Sequence, residues 1–178
     1  MLRRDVSDAR HAPDPGRLAF PADEGLARRL SVDVERSVDA PIDEVWSVLC
    51  DYEHARPRML PEHFADYAIQ DGGQGAGTVI AFVLRVGRRE RRYLATVAEP
   101  MPGRQLRERD HRSGLVLTWT LTPGGDGERT VVRLAVQLRD PDAHGWLGHR
   151  RTRRALRRAY DQLLAQLDAY LGADRVHE

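Results

Sequence analysis

The chain reads as one α+β domain in which an antiparallel sheet wraps around a long terminal helix. Three observations carry that reading. Residues 30–50, LSVDVERSVDAPIDEVWSVLC, alternate polar and apolar and then run through Ala-Pro into an amphipathic helix. Residues 63–139 repeat strand patterns separated by turn signals, and residues 143–171 keep a helical period. A sheet closed over a helix often leaves a hollow between them, so the predicted role is to enclose a small apolar molecule.

In the first strand Val32, Val34 and Val38 alternate with polar residues, and Arg36 interrupts the apolar set. Pro41 suits the first position of the helix that follows, with Asp43 and Glu44 in the first turn where the dipole favours negative charge. Ile42, Val45, Trp46 and Leu49 fall on one face and predict a core stripe. Pro57 and Pro61 bracket a second short helix or an irregular link. Asp23 to Leu30 could form a further short helix, preceded by a loose, proline-containing tail.

The strands of residues 63–139 can be tested for a shared face. A turn at Gly87-Arg88, or at Gly87 to Glu90, puts Phe82 and Leu84 beside Tyr93, because opposed residues of an antiparallel pair point the same way. A turn at Asp110 to Ser113 sets Leu106 and Glu108 alongside Leu115, Leu117 and Trp119. A third, at Gly125 to Glu128, sets Trp119 and Leu121 against Leu134 and Val132. Together the three predict one apolar face that also holds Ile80, Ala95 and Val136. On the last helix His149, Thr152, Leu156, Tyr160, Leu163, Leu167 and Tyr170 share an inward arc. Arg150, Arg151, Arg154 and Arg158 lie opposite, with Arg153 at the border.

At this point the residues resemble the START-like or SRPBCC superfamily, which includes polyketide cyclases and dehydrases, lipid-transfer domains and pollen-allergen-type proteins. The resemblance rests on Val38-Asp39-Ala40-Pro41 followed by Val45-Trp46 and Leu49, then Asp51 before a proline-containing link. It continues in the glycine turn Gly72 to Thr78, in Trp119-Thr120-Leu121 and in the single long final helix. Where many members place a tryptophan before a proline after that aspartate, this chain has Arg58-Met59-Leu60-Pro61. The resemblance implies a helix-grip fold of about seven strands, two short helices after strand one and a cavity for a hydrophobic ligand. The chain then divides into an extension (1–29), a ligand-binding domain (30–172) and a tail (173–178).

Composition narrows the function classes. At 178 residues with formal charge +1 there is no overall field to draw nucleic acid, so no DNA partner is expected. All 28 basic residues are arginine, which fits the coding bias of a GC-rich, bacterial genome. A single cysteine, Cys50, excludes a disulfide framework, and none of the seven histidines has the spacing of a metal site. No signal sequence or membrane span is read, so a cytoplasmic monomer or homodimer is expected. The run from Gly72 to Gly77 lacks the Gly-Lys-Ser/Thr ending of a phosphate loop and reads as a hairpin turn. No metal, nucleotide or other cofactor is expected.

What remains is polar chemistry in an apolar cup. Phe82, Leu84, Tyr93, Leu117, Trp119, Leu134, Leu156, Tyr160 and Leu163 are the predicted ligand wall. Trp46 reads as core, and Trp119 as either core or wall. As a cyclase, the cup would need a base, Glu108 or His149, and an oxyanion partner, Arg153 or Tyr93. The same side chains would serve a non-catalytic carrier of a lipid, quinone or polyketide by hydrogen-bonding its oxygens. Arg150, Arg151, Arg154 and Arg158 read as a solvated face, or as a contact for an anionic partner such as an acyl carrier protein, RNA or acidic lipid. In the latter case the domain would be an interaction module.

Overall fold

The computed structural model describes residues 28–125, 127–140 and 145–175. The elements run β1 (Arg28–Val38), α1 (Ile42–Cys50), α2 (Ala55–Met59), β2 (Phe64–Asp71), β3 (Val79–Val86), β4 (Arg89–Met101), β5 (Gln105–Asp110), β6 (Leu115–Pro123), β7 (Thr130–Asp140) and α3 (Gly145–Arg175). The seven strands form one antiparallel sheet in the order β1-β7-β6-β5-β4-β3-β2, with α3 against its concave face. This is the helix-grip fold. The first strand pairs with the last, so α1 and α2 carry the chain from one sheet edge to the other.

Strand register follows from hairpin turns and from the need to keep apolar side chains on one face. Phe82 opposes Tyr93, Leu106 opposes Trp119, Glu108 opposes Leu117, and Trp119 opposes Leu134. Every residue predicted on that face, Glu108 included, is buried. Leu156, Tyr160, Leu163 and Leu167 of α3 cover them, while Arg150, Arg151, Arg154 and Arg158 face outward. Arg36, which interrupts the apolar set of β1, crosses to Asp168 of α3 at 3.3 Å and so keeps its charge paired at the margin of the core.

Several expectations change. Residues 28–30 belong to β1, with Leu30 opposite Leu138, so the short helix expected over Asp23 to Leu30 does not include them; the rest of that segment lies outside the described residues. Pro41 is the N-cap of α1 rather than its first helical residue. Pro57 lies inside α2, at its third position, where an N–H would have no intrahelical acceptor. The final helix reaches Arg175, beyond the predicted end at residue 171.

The junction of α1 and α2 is tied down at several points. Asp51 Oδ1 accepts from the backbone N–H groups of Glu53 (3.1 Å) and His54 (2.9 Å) and from Gln74 Nε2 (3.1 Å). The buried Thr130 hydroxyl donates to Ala40 O at 2.7 Å, fixing the chain where it leaves β1. The glycine run is the β2–β3 hairpin loop and packs on the end of α1: Gly75 N donates to Cys50 O and Tyr52 N to Gly73 O. Gly75 has φ +54°, which favours glycine, and a Cβ there would also push the Glu99 carboxylate aside.

Candidate functional site

The polar centre of the molecule is a buried ion pair. Glu108 points inward from β5 because strand alternation places it beside Leu106 and opposite Leu117. Arg56 comes from α2, with only 2 % of its surface exposed. Arg56 Nη2 donates to Glu108 Oε1 at 2.8 Å and to Leu49 O at 3.3 Å. The same carboxylate oxygen accepts from Tyr52 Oη (2.9 Å) and Trp119 Nε1 (3.1 Å). The guanidinium carbon lies 4.7 Å from the Tyr52 ring centre and 4.9 Å from that of Trp119. A charge so far from water is tolerable only with this degree of pairing and ring contact.

The electrostatics follow from that enclosure. Burial alone would lower the Arg56 pKa, but Glu108, Tyr52 and Tyr67 outweigh it and hold the guanidinium above its ordinary value. Burial first, then the nearby Glu108 carboxylate, raises the Tyr52 phenol well above the usual range. Burial also raises Tyr67, whose hydroxyl donates to Tyr52 O at 2.8 Å. These tyrosines are donors, not phenolates, across the whole physiological range.

Two groups in this interior have no hydrogen-bond partner: Arg56 Nε and the Tyr160 hydroxyl. Arg56 helps to line a cavity of about 10 Å³ with Glu108, Tyr67, Phe64, Phe82 and Leu163, which is space for a single water molecule. A second cavity, of about 30 Å³, lies nearer the N-terminal half of α3, between Tyr93, Leu84, Leu138, Thr152 and Leu156. Between them is an aromatic partition. Phe82 stacks on Tyr93 at 5.4 Å between ring centres, and Phe64 lies 5.8 Å from Phe82 and 5.6 Å, edge on, from Tyr160. The hollow predicted from the fold class is therefore largely filled by the protein's own rings. Four bulky aromatic groups on the inner faces of β2, β3, β4 and α3 occupy the space that a guest would need.

The structure gathers some of the predicted site residues and separates others. Phe82, Leu84, Tyr93, Leu117, Trp119, Leu134, Leu156, Tyr160 and Leu163 all lie buried between sheet and helix. Glu108 is there too, but its Oε1 already accepts three hydrogen bonds, which suits it to hold Arg56 rather than to take a proton from a ligand. His149 sits in the first turns of α3, half-buried with Nδ1 unpartnered. Fourteen residues separate it from Leu163 beside the ion pair, about 21 Å along the helix axis, so it does not reach the cavity that Glu108 lines. Arg153, placed by the helical plot beside the apolar arc, is exposed and lies with Arg150, Arg151, Arg154 and Arg157. Trp119 is core and site at once, fully buried with its indole N–H on Glu108.

Sequence reasoning missed Arg56, Tyr52 and Tyr67. Periodicity could not find Arg56, since it lies in a five-residue helix with a proline next to it. The signal available was indirect: a carboxylate at an inward strand position requires a buried cation somewhere in the chain.

Residues 29–172 match the sequence family described as polyketide cyclase / dehydrase and lipid transport. The chain belongs to that family. As a family member it has the START-like fold that the solved structures share. The KanY protein is 30% identical, with a TM-score of 0.71 over 82% of this chain and 99% of that one. TTHA0849 from Thermus thermophilus is 20% identical with a TM-score of 0.67, over 81% of this chain and 98% of the other. The Zhui aromatase/cyclase from a Streptomyces species is 18% identical with a TM-score of 0.62, over 82% and 94%. A comparison with curated proteins gives no match. Membership of a family of cyclases, dehydrases and lipid transporters supports a role in binding a hydrophobic ligand. Among the described residues no helix is long and apolar enough to cross a membrane, and no group of three or more His, Cys, Asp or Glu side chains is placed to hold a metal.

Proposed function

We propose that this family member binds a hydrophobic, oxygen-bearing small molecule between the sheet and α3, with Arg56 as the anchor for its oxygen. The observation that carries the reading is the unpartnered Nε–H of a fully buried guanidinium lining a cavity walled mainly by apolar and aromatic side chains. Leaving such a donor unmade costs on the order of 1–3 kcal/mol, which an acceptor oxygen on a ligand would recover. Tyr160, also a buried donor without a partner, offers a second contact across the partition. Both are donors, so the ligand atom they suit is an acceptor: a carbonyl, carboxylate or enolate oxygen. Cavities of about 10 and 30 Å³ are too small for such a ligand, so binding requires Phe64, Phe82, Tyr93 and Tyr160 to turn aside and join them.

A second reading, polyketide cyclase or dehydrase chemistry, is favoured by the same guanidinium. A cation held rigidly by Glu108 and sheltered from water would stabilise an enolate oxygen as it forms. A simple carrier needs the anchor without the chemistry. Native mass spectrometry of freshly purified protein tests the binding reading: a co-purifying small molecule is expected, and it should be lost in Arg56→Met. Recovery of the oxygen-bearing ligand unchanged after incubation identifies a carrier, and a dehydrated or cyclised product identifies an enzyme. A protein that neither retains nor takes up any apolar molecule contradicts both.

A further inference from the structure

The N-terminal half of α3 carries an arrangement that folding does not explain. Arg150, Arg151, Arg153, Arg154, Arg157 and Arg158 fall within nine residues, and the stretch from His149 to Tyr160 contains no Asp or Glu. All six are exposed. Arg150 has Arg153 and Arg154 at i+3 and i+4, Arg151 has Arg154, Arg153 has Arg157, and Arg154 has Arg157 and Arg158, so successive turns bring like charges together. The first turn of α3 holds no acidic residue, and none follows before Asp161. Arg157 reaches Asp161 at 3.9 Å, a loose pair. In a chain of net charge +1 this is a local concentration of charge held against the helix's own preference.

Its position adds a second fact. Thr152 and Leu156, on the inward side of the same turns, line the 30 Å³ cavity, and the exposed Arg89 stands on the far side of that cavity. The arginines line a separate surface recess, on the outward side of the turns whose inward side lines this cavity.

We infer that the N-terminal half of α3 is a docking surface for an acidic protein, which sits beside this cavity and hands over or collects the bound molecule. The inference rests on the binding reading above only for the handover. Charge and shape choose the partner. The six arginines cover an arc of about 160° and a length of about 12 Å. A flat anionic bilayer would reach only part of that arc, and no large apolar side chain on it is available to insert; the exposed large hydrophobic residues among those described are Leu94 and Met101, both on β4. Single-stranded nucleic acid would need aromatic platforms between the arginines, and there are none. Projecting carboxylates of a protein surface suit guanidinium forks spread around a helix, each taking two hydrogen bonds.

The test compares three fluorescent probes on the whole protein, at low and physiological salt: a glutamate-rich helical peptide, phosphatidylserine vesicles and a short RNA duplex. The peptide should bind, with affinity falling as salt rises. Replacing Arg150, Arg151, Arg153 and Arg154 by Gln should weaken it roughly tenfold or more and flatten the salt dependence. A charge-matched control, with Arg58, Arg92, Arg104 and Arg107 replaced by Gln, should bind nearly as well as the wild type. Equal losses in the two variants, or tighter binding of vesicles or RNA than of the peptide, would overturn the proposal. Uptake of the neutral dye Nile red, followed in parallel, separates the two ideas. Dye uptake retained in the docking variant with peptide binding lost supports the surface, whereas no uptake by the wild type refutes the interior reading and leaves the surface standing on its own peptide result.

Discussion

Arg56 and Glu108 form a 2.8 Å ion pair inside the protein, one from a five-residue helix and the other from the middle strand of the sheet. Fifty-two residues apart in sequence, they are brought together by the crossing of α1 and α2 from one sheet edge to the other. The pair sets the polarity of the interior and fixes the anchor for a guest.

Removing one member of that pair should cost more than removing both. Arg56→Met leaves a buried carboxylate, and Glu108→Leu leaves a buried guanidinium; each should destabilise by about 3–5 kcal/mol in urea unfolding. The double replacement should recover much of that loss, because no unpaired charge remains. Additive losses in the double variant would show that the two side chains are not energetically coupled.

Tyr160→Phe should behave differently without and with a guest. The hydroxyl has no partner, so its removal should leave the stability of the empty protein within about 0.5 kcal/mol of the wild type or raise it. Affinity for a carbonyl-bearing ligand should fall several-fold, while affinity for a hydrocarbon of the same shape should not change. A large loss of stability in the empty protein would mean that the hydroxyl is satisfied in solution.

Cys50 should be a slow nucleophile. Burial first, then Glu99, with Arg56 opposing, pushes its thiol up to about 11, so the thiolate is scarce at neutral pH. Alkylation by iodoacetamide should be much slower than that of a free thiol and should keep accelerating as pH rises toward that value. A rate that levels off near pH ~8.5, the ordinary thiol range, would contradict this.

Asp110 should stabilise the fold at neutral pH and lose that contribution in acid. Burial would raise its pKa, but hydrogen bonds from Arg112 N (2.8 Å), Ser113 N (3.3 Å) and Leu94 N (3.3 Å) prevail and lower it below 3.8. A carboxyl whose folded pKa lies below its unfolded one adds stability above the unfolded value and loses it as pH falls through the folded one. Asp110→Asn should therefore be less stable than wild type at neutral pH, with the difference shrinking below pH 3.8. A difference that stays constant from neutral pH into strong acid would assign the loss to packing alone.

These predictions also show how much was legible beforehand. Strand alternation and three hairpin turns were enough to put Phe82 and Leu84 on the face of Tyr93 and to set Trp119 and Leu121 against Leu134 and Val132, because a one-residue slip would expose every apolar side chain on the strand. The inward arc of α3 was legible for the same reason. Arg56 was not, since short irregular segments have no period to read and its burial is decided by tertiary contacts alone. Nor was the filled interior, because apolar alternation says which face is covered but not how closely the rings on it pack.

The most direct test of the account follows the Arg56 Nε–H resonance by NMR during titration with 2-acetylnaphthalene and, separately, with 2-ethylnaphthalene. The ketone should bind at least about tenfold more tightly, equivalent to about 1.4 kcal/mol, and shift the Arg56 Nε–H signal together with those of the Phe82 and Tyr160 rings. Equal affinity for ketone and hydrocarbon, with the Arg56 signal unmoved, would contradict the claim that a buried guanidinium anchors an oxygen-bearing guest.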